Sequence, residues 1–171
     1  MSYRIPPPAR NYPASAWGPA FEQLGLAGTL DAPATLRTWI TQRLTHCGRP
    51  YAHDAELAAT LQLVTSELAT NAVVHSASGQ TGGFLLATVH FPHDRIGLTI
   101  TDQGPRPAQP LSPQQPPTRL DLTELYTEEG GRGLALVALH THRYGWTAPP
   151  RDPLHTVWCE LAPPSTAPIN A

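Results

Sequence analysis

Positions 57–75 constrain this chain more than any other stretch. Leu57, Leu61, Val64, Leu68 and Ala72 recur at steps of three or four, the spacing that lines one face of an α-helix. Within the same run Glu67, Asn71 and His75 follow one another at steps of four, a polar stripe roughly 80° wide along the rim of the apolar face. A helix that buries its Leu/Val face must therefore hold a carboxylate, an amide and an imidazole half out of water. Such groups need partners, and a bound metal-phosphate is one candidate. Asp54 is placed to cap this helix, with Leu57 as its first core contact.

At 171 residues the chain suits one domain that buries about two thirds of its unfolded surface. Net charge is −2 with scattered basic residues, so nothing resembles a nucleic-acid footprint. The longest apolar stretch, near Phe84, is too short to cross a membrane. Pro6, Pro7 and Pro8 stand where a signal peptide needs an apolar segment. Cys47 and Cys159 are too few for a disulfide scaffold, and a soluble cytoplasmic protein is expected. All 11 basic residues are arginine. The absence of lysine excludes the P-loop, the protein-kinase fold and lysine Schiff-base chemistry. Any nucleotide must be held some other way.

Residues 1–20 carry five prolines and read as a flexible arm; 163–171 reads as a disordered tail. Between them, 21–162 reads as one domain. A weak strand is expected over Leu24–Leu30, a helix over Ala34–Thr45 and a strand over Phe84–Phe91, apolar on both faces. A second strand over Arg95–Asp102 points Ile96, Leu98 and Ile100 inward. Residues 105–130 hold six prolines between Pro105 and Pro117, as in a functional lid or a disordered loop. Leu134, Val137, Ala138 and Thr141 resume helical spacing, and Thr156–Leu161 closes the sheet. Trp39, Trp146 and Trp158 are expected in the core. The order implies an α+β two-layer sandwich, a mixed, mostly antiparallel sheet with helices on one face.

Asp102 continues the inward phase of Ile96, Leu98 and Ile100 and ends its strand. A carboxylate there needs strong hydrogen bonds, which the exocyclic amine of adenine would supply. A turn-capping Asp is the ordinary alternative. Gly104, two residues on, would let a flat ring approach the backbone. Glu129-Gly130-Gly131-Arg132-Gly133-Leu134 leads into a helix, where free N–H groups and the positive dipole end favour phosphate; a glycine hinge is the alternative. His90, His93, His140 and His142 match no zinc spacing.

Taken together, Glu67-Leu68-Ala69-Thr70-Asn71-Ala72, Asp102-Gln103-Gly104 and Gly131-Arg132-Gly133-Leu134 resemble the nucleotide-binding boxes of the GHKL (Bergerat-fold) ATPase superfamily. Over residues 30–162 the chain looks most like its RsbW-type anti-sigma factor serine/threonine kinases. The resemblance implies ATP and Mg²⁺ as cofactors, with Asn71 binding the metal and Glu67 orienting or deprotonating the attacking hydroxyl. It places His75 near the phosphates or the lid base, and Asp102 and Gly104 at adenine with Thr156 assisting. Residues 105–130 become the ATP lid, and Gly131, Arg132, Gly133 and Leu134 close over the phosphates. The run Asp102-Gln103-Gly104-Pro105-Arg106 departs from the superfamily pattern in lacking its second glycine. Implied partners are a sigma factor and an anti-anti-sigma STAS-domain protein. Similar kinases are often dimers, which leaves a homodimer open. The alternatives are an ATP-binding recognition module without turnover and a nucleotide-free interaction domain.

Overall fold

The computed structural model describes residues 9–10, 21–106, 132–147 and 153–163, with the side chains of 9, 10 and 132 outside the description. In chain order the elements are β1 (Ala9–Arg10), β2 (Glu22–Ala27), α1 (Ala32–His46), α2 (Ala55–His75), β3 (Phe84–His90), β4 (Ile96–Asp102), α3 (Arg132–His140), β5 (Arg143–Thr147) and β6 (His155–Leu161).

The amphipathic run at 57–75 forms the central helix. The Asp54 side chain accepts a hydrogen bond from Leu57 N–H at 2.7 Å, and Glu56 in the first turn complements the helix dipole. Leu57, Leu61, Val64, Leu68 and Ala72 are all buried; full burial of each large apolar side chain contributes roughly 1.5–3 kcal/mol. Helix α1, with Pro33 in its first turn, lies against α2 and adds Leu36, Ile40 and Leu44 to the core. Helix α3 contributes Ala135, Val137 and Ala138.

Among the described residues the sheet has six strands in the order β1-β5-β6-β4-β3-β2. Only β1–β5 is parallel; the other pairs are antiparallel. Register fixes the faces. Ala87 lies opposite Ile100, Leu98 opposite Cys159 and Cys159 opposite Tyr144, and directly opposed residues share a face. That face packs under the helices. It is the α+β sandwich with helices on one side that the residue pattern implies.

Several expectations need correction. Helix α2 is itself long and apolar enough, by length and composition, to cross a bilayer, with a mean hydropathy of 1.2, so the longest apolar segment is not near Phe84. Its apolar face is committed to the core cluster. The first strand ends at Ala27 because Gly28 already abuts the turn at Ser78: a Cβ on Gly28 would lie 1.8 Å from the Ser78 carbonyl oxygen. Strand β3 is not apolar-buried on both faces; Leu85, Ala87 and Val89 are buried whereas Phe84 is 48 % exposed. Strand β5 is unforeseen, and β1 falls inside the span read as an arm. Trp158 is buried, but it pairs with Thr99 and Gly145 on the face away from the helices. Trp39 packs half-buried on the core. The rest of the arm, residues 107–130 of the lid and 164–171 of the tail lie outside the described residues.

Candidate functional site

Glu67 and Asn71 leave α2 half-buried, and among the described residues neither side chain has a hydrogen-bond partner. The first turn of α3 closes over both. A Cβ built on Gly133 would lie 2.6 Å from Glu67 Oε2, 3.5 Å from Asn71 Nδ2 and 3.6 Å from Asn71 Oδ1. No larger residue fits without moving the carboxylate. The N-terminal end of α3, the positive end of its dipole, therefore converges on the polar stripe of α2. Leu134 anchors that turn by packing on the core. Gly131 and the Arg132 side chain lie outside the described residues. His75 is exposed in the last turn of α2.

A second cluster ties the end of β4 to the end of α2. Asp102 Oδ1 accepts the Gly104 N–H at 2.6 Å. Burial pushes its carboxyl above the usual range, while the Gly104 N–H, the His155 ring and the Ser76 hydroxyl favour the charged form. The Gln103 N–H donates to Ser78 Oγ at 2.9 Å, and the Ala77 N–H donates to the Gly104 carbonyl at 2.8 Å. Arg106 then donates from Nε to the Ser76 carbonyl at 3.1 Å and from Nη2 to the Val74 carbonyl at 2.7 Å. One guanidinium thus caps carbonyls that the helix end leaves free and offsets its negative dipole end. Ser76 lies five residues beyond Asn71, about 7.5 Å of helix rise. The Asn71 amide and the half-buried Asp102 carboxylate are thereby held near the two ends of one short stretch of α2.

Two expected placements are revised. Thr156 does not face Asp102. It pairs with Thr101 on the opposite sheet face, the two hydroxyls 2.8 Å apart. His155 stands opposite Asp102 instead. Gly104 does not leave open space either: a Cβ there would meet the Pro153 carbonyl oxygen at 2.3 Å and His155 Cδ2 at 3.5 Å. With φ at +70°, this glycine serves a left-handed turn and a close approach of two backbones. Sequence reasoning missed His155, Ser76 and Arg106. Only the Arg106 position, directly after Asp102-Gln103-Gly104-Pro105, offered a signal.

A cleft of about 800 Å³ opens beside this cluster, lined in part by Leu30, Val74, Phe84 and Arg106. Arg106 joins it to the Asp102 cluster, but neither Asn71 nor Asp102 lines it. Among the described residues no three His, Cys, Asp or Glu come together as a metal cage. A divalent ion at Asn71 would share its coordination with ligand oxygens and water, as magnesium does, and the unpartnered amide fits that role.

Residues 30–151 match the family described as the histidine kinase-like ATPase domain. No curated protein matches the chain.

Proposed function

Because the chain belongs to the histidine kinase-like ATPase family, and so carries an ATP-binding domain, we propose that it is a Mg-ATP-dependent anti-sigma factor serine/threonine kinase. Its substrate is a hydroxyl on an anti-anti-sigma STAS partner, and a sigma factor is its second partner. The observation that carries this reading is the convergence of Gly133 on Glu67 and Asn71, two polar side chains without a partner among the described residues.

The roles follow from the chemistry of each group. The Asp102 carboxylate, an acceptor only, takes the exocyclic amine of adenine. The Asn71 amide oxygen would hold magnesium, which neutralises phosphate charge when bound. The N–H groups opening α3 receive phosphate oxygens. Glu67, beside them, orients the incoming hydroxyl and accepts its proton as the oxygen attacks the γ-phosphorus. The new P–O bond goes to the partner's serine or threonine, and the bond to ADP breaks.

The test is transfer of labelled γ-phosphate to STAS proteins, with Mg-ATP binding measured in parallel. Glu67→Ala should keep ATP binding and lose transfer, whereas Asn71→Ala should lose both. Binding without transfer to any STAS protein, with Glu67→Ala fully functional in partner recognition, would instead identify a nucleotide-gated binding module.

A further inference from the structure

The antiparallel register of β4 and β6 sets Asp102 and His155 directly opposite each other. Their side chains leave the same sheet face with Cα atoms about 4.5–5.5 Å apart. The imidazole lies against the Gly104 backbone, its Cδ2 3.5 Å from where a Cβ on that glycine would sit. It is half-buried, and among the described residues neither ring nitrogen has a hydrogen-bond partner. A neutral imidazole offers one N–H donor and one bare nitrogen. Next to an acceptor-only carboxylate, it completes an acceptor–donor pair held on two strands rather than on loops.

That pair has a chemical complement. The edge of a 6-aminopurine presents an amine donor next to a bare ring nitrogen, N1. A 6-oxopurine presents the reverse, a carbonyl oxygen next to N1–H, and would set oxygen against the Asp102 carboxylate. We propose that His155 is a specificity-determining residue, donating its ring N–H to purine N1 beside the amine held by Asp102. The inference rests on the nucleotide-site reading above and extends it to a residue that the motif pattern does not mark. His155 and Asp102 together select 6-aminopurines over 6-oxopurines.

Calorimetric titration of Mg-ATP, Mg-1-deaza-ATP (lacking N1) and Mg-tripolyphosphate into wild type, His155→Phe, His155→Asn and Asp102→Asn tests this. Wild type should bind 1-deaza-ATP about tenfold more weakly than ATP, the worth of one net hydrogen bond. His155→Phe, close in shape, should bind ATP about tenfold more weakly, no longer distinguish the two nucleotides, and bind tripolyphosphate unchanged. His155→Asn, which keeps a donor, should recover part of the loss. Equal binding of ATP and 1-deaza-ATP by wild type overturns the proposal and needs no variant to fold. So does a Phe variant that retains full discrimination. If wild type binds no Mg-ATP, the nucleotide reading falls as well. If Asp102→Asn weakens ATP binding while His155→Phe does not, only the role of His155 falls.

Discussion

Gly133→Ala separates the fold from the chemistry more cleanly than any deletion of a polar group. The added methyl would stand 2.6 Å from Glu67 Oε2, and ordinary contact begins near 3.4 Å, so the carboxylate must retreat by about 0.8 Å. The clash is with the far end of a flexible side chain, and a χ displacement of about 30° costs about 0.5–1.5 kcal/mol. Replacing glycine by alanine in a helix returns up to about 1 kcal/mol. The two effects nearly cancel, and the melting temperature should move by less than about 4 °C. Asn71, at 3.5 Å or more from the new methyl, keeps its position, so Mg-ATP affinity should stay within about threefold. A base displaced by nearly an ångström is another matter: phosphoryl transfer should fall about 100-fold. The assay is the initial rate of labelled phosphate transfer to the STAS partner, alongside calorimetric ATP binding and a circular-dichroism melt. A folded variant that transfers phosphate at the wild-type rate would refute the role of Glu67. Loss of ATP binding in step with transfer would refute the separation of roles between Glu67 and Asn71.

Other perturbations probe the supports of the site. Burial raises the Asp102 pKa, so the native state holds its proton more tightly than the unfolded chain does. Its relative contribution to stability is therefore fully present below the unfolded pKa and is lost as pH rises through the folded one. Asp102→Asn should accordingly be as stable as wild type at acid pH and equal or more stable at pH 7, while binding ATP more weakly. Thermal melts from pH 4 to 7 check the sign, and a variant clearly less stable at pH 7 contradicts it. Arg106→Gln removes charged donors to Ser76 and Val74 and, for a half-buried group, should cost about 1–2 kcal/mol in urea unfolding; no measurable loss would mean that water caps α2 equally well. Gly28→Ala, whose methyl would meet a backbone oxygen at 1.8 Å, should destabilise by about 1–3 kcal/mol. Gly25→Ala, with nothing within 4 Å, should be neutral or slightly stabilising in the same assay.

The legible parts of this protein are those whose signals are local. The leucine and valine spacing of α2, its Asp54 cap, and the adjacency of Glu67 and Asn71 along one helix edge all lie within a few turns of chain. The helical period alone determines them. The alternation of Ile96, Leu98 and Ile100 likewise aims Asp102 at the helix side. Strand β5 escaped notice because Arg143-Tyr144-Gly145-Trp146-Thr147 is short and broken by glycine, and its partner β6 is supplied from a distance.

Which residue stands opposite Asp102 was decided only in three dimensions. A strand has a side-chain period of two, so a shift of one residue exchanges its faces. The local run His155-Thr156-Val157 reads equally well in either phase until the pairing of Leu98 with Cys159 selects one. The same holds at Gly104, whose need for glycine comes from the Pro153 carbonyl, and at Gly133, whose neighbours lie on another helix. Periodicity along the backbone marks which faces are polar. Contacts between segments far apart in sequence decide what those faces meet.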